Sequence, residues 1–315
     1  MKIAIVGASG FIGTNMVLAA KELGHDVVAG VHKNDLQTDL GGVDIRQCDL
    51  SQPDLMAKFF KGVDWAINCA GAVSAASVTI NSPLNPIFQN LYLNTQFIEA
   101  CVSNDVQRML TFGSSTGYPP LSIPVTEDIM FSGEPAPVYE GYGRMRRYIE
   151  RLSMFASTKS NTAACIVRPS AVYGPFDDFG DKTSHVIPAL IKRAIALEEP
   201  YIVWGNGNEV RDFMYIEDFC KGCLLAIDKY CAGKPINIAR GSGITIAEVV
   251  STIFEILGLD NNSIIFDETK PTTIPIRLVD TTLAVSTLGE LNNTSFFDGM
   301  RNTILFYQQR VQKCQ

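Results

Sequence analysis

The chain has 315 residues, 46% of them apolar and 19% charged, with a formal net charge of −7. This composition supports a substantial core and excludes a disordered chain, and the acidic balance excludes a general nucleic-acid binder, which needs a clustered basic surface. There is no apolar run of about 18 residues that would span a membrane, and the N-terminus passes into strand-like sequence at Lys2 without a leader pattern.

Lys2-Ile3-Ala4-Ile5-Val6 reads as a buried parallel strand. Gly7, Gly10 and Gly13 follow at spacing three, and a helical pattern begins at Phe11. Gly7 lets the chain turn sharply off the strand, Gly10 lets backbone approach a pyrophosphate, and Gly13 lets the helix pack close to the sheet. The free N–H groups where this helix begins suit an anion, which makes Ser9, Phe11 and Ile12 candidate cofactor contacts beside the glycines. Asp26 to Val31 reads as a second strand. In an NAD-type fold this strand usually ends in an acidic residue for the ribose hydroxyls. Here Val31 is followed by His32 and Lys33, a pair suited to a 2′-phosphate, so NADP (NADPH) is expected in preference to NAD. A third strand over Val43–Gln47 leads into Cys48-Asp49-Leu50, with Asp49 placed to accept a bond from an adenine amine and Leu50 beside it.

A short helix over Pro53–Phe60 precedes a fourth strand, Asp64–Cys69, which ends in Ala70-Gly71-Ala72, residues small enough to lie against a cofactor. A helix over Pro86–Ser103 and a strand over Gln107–Phe112 follow. This alternation predicts an α/β fold of the Rossmann type, a doubly wound parallel sheet, with a smaller C-terminal substrate-binding lobe. The strand ends in Gly113-Ser114-Ser115-Thr116-Gly117-Tyr118-Pro119, hydroxyl groups at the end of a strand where ligands of such sheets bind. After a long irregular stretch to Pro137, Tyr142-Gly143-Arg144-Met145-Arg146 opens a helix that continues through Phe155. Beyond a strand over Ala163–Arg168 the regular alternation stops. Residues 1–168 are therefore expected to bind the dinucleotide, and 169–315 to form mostly the substrate lobe, with segments interleaved. Thr245-Ile246-Ala247-Glu248 is a capping box and Gly258 a matching helix end. The eight cysteines are scattered, several in apolar segments, and Cys220-Lys221-Gly222-Cys223 reads as helix packing. Reduced thiols and a cytoplasmic setting are expected, with no metal site.

With Gly7/Gly10/Gly13, Asp49, Ser114 and Tyr142 in this order, the chain resembles the extended short-chain dehydrogenase/reductases, Rossmann-fold enzymes acting on nucleotide sugars. Arg168 to Pro175, Trp204-Gly205-Asn206-Gly207 and Arg211 to Asp218 fit the same resemblance, which thins after about Asp280. Within that family the chain looks most like GDP-L-fucose synthase-like enzymes, through Gly113–Pro119 (their GSSCIYP) and Ser184–Leu190 (their SHVIPAL). The resemblance makes Tyr142 the proton donor or acceptor at the sugar oxygen and Ser114 a hydrogen-bond partner of that oxygen. It implies cofactor contacts at Tyr142, Arg146, Pro169 and Val172, and substrate contacts at Ser114, His185, Trp204, Arg211 and Arg277. It also implies a homodimer.

Three positions depart from the family pattern. Arg146 stands where the family places Lys, one helical turn after the tyrosine. A phenol with pKa near 10 needs such a neighbouring cation to move protons at neutral pH, and Arg supplies the charge through a planar, bulkier group. Thr116 stands where fucose synthases carry a Cys that works with the His of SHVIPAL on C3 and C5, and an unactivated hydroxyl is a poorer acid or base than a thiol. Ala171 replaces an Asn that contacts substrate in many relatives. The expected activity is therefore reduction at C4 of a 4-keto-6-deoxy sugar nucleotide. Two alternatives remain at this point: a nucleotide-sugar 4-epimerase, and a dinucleotide-binding regulator of weak activity.

Overall fold

The computed structural model describes residues 1–72, 84–180, 184–270 and 273–313. Strand β1 (Lys2–Val6) leads into helix α1 (Phe11–Glu22), and β2 (Asp26–Val31), β3 (Asp44–Gln47), α2 (Pro53–Phe59) and β4 (Trp65–Asn68) follow. Helix α3 (Leu84–Ser103) carries Pro86 in its first turn, where a missing N–H costs nothing. Then come β5 (Arg108–Phe112), α4 (Glu140–Lys159), β6 (Ala163–Pro169), β7 (Ala171–Tyr173), α5 (Val186–Ile195), β8 (Tyr201–Trp204), β9 (Val210–Tyr215) and α6 (Ile216–Lys229). The chain closes with β10 (Pro235–Ile238), β11 (Gly243–Thr245), α7 (Ile246–Leu257), β12 (Ile264–Asp267), β13 (Ile276–Arg277), α8 (Thr282–Leu288) and α9 (Phe296–Lys313).

Seven strands form one parallel sheet in the order β10-β6-β5-β4-β1-β2-β3. Its central strands are apolar on both faces because helices cover both: Ile3, Ala4, Ile5, Ala66 and Ile67 are fully buried. The chain runs outward from β1 through β2 and β3, then returns to the other side of β1 with β4. That reversal opens a crevice at the carboxyl ends of β1 and β4, the place where ligands of open α/β sheets bind. From β7 onward the chain builds a second layer, in which β9 pairs with β7, β11 and β13, while β8 pairs with β12. The chain also returns to the first sheet with β10, so the segments of the two layers interleave.

Local signals mostly survive folding. The capping box of α7 is formed, with Thr245 Oγ1 accepting from the Glu248 N–H (3.1 Å) and Glu248 accepting from the Thr245 N–H (2.7 Å); Gly258 ends the helix at φ +68°. Cys220 and Cys223 lie on the buried face of α6, and burial pushes both thiols well up. The seven described cysteines are free; Cys314 lies outside the described residues. Two elements differ from the sequence reading. Helix α4 starts at Glu140, because a 3-10 turn over Pro137–Tyr139 feeds directly into it. The irregular stretch before it contains a second 3-10 turn, Glu127–Phe131. No described helix is long and apolar enough to cross a membrane.

Candidate active site

The glycine turn is built so that only glycine fits at positions 7 and 13. Gly7 has φ +79°, and a Cβ there would stand 2.7 Å from the Ala70 nitrogen, so β1 and β4 approach at their ends with nothing between them. A Cβ on Gly13 would collide with the Gly7 carbonyl. Gly10 caps α1 in extended backbone with no side-chain capping bond, and no acidic residue occupies the first turn. The N–H groups that begin α1 therefore keep their donors and their positive dipole end for an anion at the crevice. These residues fit a dinucleotide pyrophosphate. Phe11 and Ile12 pack against the core behind this turn. Gln37 donates to the carbonyls of Ser9 (3.3 Å) and Phe176 (3.2 Å), and Asn15 to that of Pro175 (2.9 Å), so the segment after β7 is tied to the same crevice.

At the end of β2, His32 and Lys33 are both exposed. His32 Nε2 lies 3.5 Å from the Asp49 carboxylate. Hydrogen bonds from the Ser51 hydroxyl and N–H, and from Gln52, hold that carboxylate down at about 2. Asp49 thus already carries local partners, while Leu50 is buried below it. Across the crevice, Asn68 Oδ1 accepts from the Ala70 N–H (3.1 Å), and Asn90 holds Ala72 by both its N–H (3.3 Å) and its carbonyl (2.8 Å), with Gly71 between. Pro169 ends β6 and Val172 lies in β7, both half-buried at the neighbouring strand ends.

The catalytic candidates converge at the end of β5. Ser114 caps a 3-10 turn over Ser115–Gly117; its Oγ accepts from the Thr116 N–H (3.2 Å) and shares a bond with the Thr116 hydroxyl (2.8 Å). Tyr142 lies in the first turn of α4, and Arg146, one turn on, donates to its phenolic oxygen through Nε (3.1 Å) and Nη2 (2.6 Å). Arg146 Nη1 reaches the Phe112 carbonyl at the end of β5 (3.2 Å), and Nη2 also meets Asn90 Oδ1 (3.5 Å). The guanidinium is thereby fixed by strand and helix together, with two donors aimed at the phenolic oxygen, an arrangement that would favour negative charge there.

Behind this group, Glu150 and Arg168 form an ion pair at 2.8 Å with 1% of each side chain exposed. Arg168 also donates to the Tyr118 hydroxyl (2.9 Å) and the Glu127 carbonyl (2.7 Å), and Tyr118 donates to Asn237 Oδ1 (2.7 Å). Beside the Ser114 turn lies a cleft lined by Thr116, Tyr118, Tyr139 and Arg277 among others. Arg211 is 8% exposed, and Arg211 and Arg277 face each other in the register of β9 and β13.

A family model described as the NAD dependent epimerase/dehydratase family matches residues 3–239. The chain belongs to this family. It is 27% identical to the GDP-L-colitose synthase of Yersinia pseudotuberculosis over 98% of both chains. Its fold matches a UDP-glucose 4-epimerase of Thermotoga maritima with TM-score 0.86 and 21% identity, covering 99% of this chain and all of that one. A GDP-L-fucose synthetase from Naegleria fowleri bound to NADP matches with TM-score 0.84 and 18% identity, covering 99% and 93% of the two chains. The protein is thus an NAD(P)-dependent enzyme with a Rossmann-type sheet.

As a member of this epimerase/dehydratase family, the chain shows two residues that its sequence did not single out. Asn90 is fully buried on α3 and joins the cofactor-side turn to Arg146; a polar residue on the buried face of a helix was the available signal. Asp177, 2% exposed, lies 3.7 Å from Nδ1 of the half-exposed His185, with its second carboxylate oxygen buried and unpartnered among the described residues. Trp204, at the end of β8, is 54% exposed, which rules out a core role. No group of three described His, Cys, Asp or Glu side chains is placed to hold a metal ion.

Asp177, 3.7 Å away, raises the His185 imidazole above its ordinary 6.5, while burial works in the opposite direction. A raised histidine contributes stability that is present below its unfolded pKa and lost as pH rises through its folded one. In an NMR titration, Asp177→Asn should therefore move the His185 pKa downward, and the stability that the protonated imidazole gains from Asp177 should be lost on the alkaline side, where the unmutated protein is left with a buried carboxylate beside a neutral ring. An unchanged imidazole titration would dissociate the pair.

Proposed function

We propose that the protein reduces the C4 ketone of a 4-keto-6-deoxy sugar carried on a nucleoside diphosphate, with NADPH as reductant. The observation that carries this reading is the Tyr142 phenol, held by two donors of an Arg146 guanidinium that also reaches the Phe112 carbonyl, two residues before Ser114. Gly7, Gly10, Gly13 and the first amides of α1 would hold the dinucleotide, which supplies a hydride when bound. As charge builds on the C4 oxygen, Tyr142 gives it a proton, and Ser114 Oγ donates a second hydrogen bond to the same atom. Arg146 stabilises the phenolate left behind. It stays protonated throughout the working pH range, so the proton comes from Tyr142 and is replaced from solvent. Thr116 offers only a hydroxyl already bonded to Ser114, which supports chemistry at C4 without inversion at C3 or C5. The GDP-linked names of its sequence relatives favour GDP as the nucleotide. His185, Trp204, Arg211 and Arg277 are read as its substrate contacts.

NADPH is favoured over NADH because β2 ends without a carboxylate and is followed by His32 and Lys33. A homodimer is proposed from the helix pair α3–α4, which packs together and leaves apolar side chains outside. Leu84 (59% exposed), Phe88 (59%) and Tyr92 (49%) run one turn apart on α3, and Tyr148 (55%) and Phe155 (60%) lie on α4. A second copy placed face to face would bury both sets in a four-helix contact.

Three measurements test these readings. With a GDP-linked 4-keto-6-deoxy sugar, the purified protein should consume NADPH, and Tyr142→Phe should lower the rate by about 10²–10⁴-fold with NADPH affinity intact. Retained cofactor with no net consumption would indicate a 4-epimerase, and binding without either reaction a regulator. Titration should show tighter binding of NADPH than of NADH, with Lys33→Ala narrowing the gap by about 1–2 kcal/mol; equal affinities in the unmutated protein would sink the preference. Light scattering should give the mass of two chains, and Phe88→Glu should yield monomers.

A further inference from the structure

Three segments far apart in the chain meet at the glycine turn between β1 and α1. Gln37 lies in the loop after β2, four positions beyond Lys33, and is half-buried. Its Nε2 donates to the Ser9 carbonyl (3.3 Å) and to the Phe176 carbonyl (3.2 Å). An amide nitrogen carries two hydrogens, so one Gln37 head group serves both carbonyls at once. Asn15 adds a second tie from within α1, donating to the carbonyls of Phe11 and Pro175 (both 2.9 Å).

Helix α9 backs the segment after β7 on its other side. The Phe176 ring centroid lies 4.7 Å from that of Phe306, and the Phe179 ring is stacked on Tyr307 at 4.2 Å. Arg310 Nη1, one turn beyond Phe306, comes within 3.5 Å of Gln37 Oε1. Phe176 has φ +68°, a left-handed backbone that a bulky side chain rarely adopts. Local preference does not put it there; the ring and carbonyl contacts on either side hold it.

We propose that Gln37 is a positioning residue of the cofactor site: it clamps the glycine turn to the 175–179 segment, and with α9 behind that segment it sets how fast a bound dinucleotide leaves. Both of its donors are spent on protein carbonyls, so it acts through Ser9 and Phe176. A turn held from outside keeps the amides that begin α1 in one arrangement before the pyrophosphate arrives, which lowers the ordering cost of binding. The clamp requires the crevice to be the dinucleotide site and is independent of which sugar is reduced.

Stopped-flow displacement of NADPH and of NADH, followed by nicotinamide fluorescence, tests it without turnover. Gln37→Met keeps the length of the side chain and removes both donors. It should raise the dissociation rate of each dinucleotide about 10-fold, the scale of two neutral hydrogen bonds, and leave the association rate nearly unchanged. Tyr307→Ala, on α9, removes the ring stacked on Phe179 and should also speed dissociation. The double variant should fall short of the product of the two single effects, because both loosen one segment. The thermal midpoint of the cofactor-free protein reports general loss of packing. A lower midpoint with an unchanged dissociation rate in Gln37→Met would make the residue merely structural and overturn the assignment. If that variant does not fold, Tyr307→Ala decides, and an unchanged dissociation rate there overturns the clamp. If the unmutated protein binds neither dinucleotide, the crevice is not the cofactor site and the role of Gln37 falls with it.

Discussion

Glu150 and Arg168 meet at 2.8 Å with almost no exposure, and the catalytic end of the sheet is arranged around that contact. Each ion taken alone out of water would cost several kcal/mol, so the pair is tolerable only with its remaining hydrogen-bonding capacity filled. The Tyr118 hydroxyl and the Glu127 carbonyl fill it, and these come from the irregular stretch that follows the Ser114 turn. Loss of either charge would strand the other and cost about 3–5 kcal/mol. The pair therefore ties four things together: the end of β6, the body of α4, the turn after β5 and the segment that closes the cleft. Gly113 belongs to the same arrangement, since a Cβ there would run into the Glu150 carboxylate.

Helix α4 transmits this constraint to the chemistry. Tyr142, Arg146 and Glu150 follow one another at a turn apart along one side of the helix, so fixing Glu150 also fixes the two groups proposed to handle the proton. Arginine at position 146 adds a hold that a lysine would lack. Its planar fork meets the phenol oxygen twice while a third nitrogen reaches the Phe112 carbonyl, which locks the side chain between helix and strand. The substitution changes the geometry by which positive charge is delivered, and it keeps the charge beside the phenol.

The substrate side is held by different means. Arg211 and Arg277 sit on neighbouring short strands in parallel register, so their like charges approach closely, and only nearby acceptors make this tolerable. The segment from Pro175 to Asp177 reaches back to the cofactor crevice through Asn15 and Gln37. The second layer thus grips the first at the point where the sheet order reverses. That is also where β1 and β4 come within contact at Gly7 and Ala70.

The sequence by itself determined the first six strands, the glycine turn, the capped helix α7 and the spacing of Tyr142 and Arg146, because each depends on residues close together in the chain. An apolar run bounded by glycine, a Thr-x-x-Glu cap and an i, i+4 pair act within a turn or two, and folding left them where the sequence put them. Only the tertiary structure decided which distant groups meet. Asn90 bridges Ala72 and Arg146, Asp177 lies against His185, Tyr139 sits under Arg277, and Trp204 is left exposed. These contacts depend on strand order and on the return of the chain across β1. A sequence periodicity records which face of an element is buried, but it carries no information about which other element covers that face. The Glu150–Arg168 pair shows this limit directly: the sequence places one in a helix and the other at a strand end, and only the packing of α4 over the end of β6 makes them a buried pair.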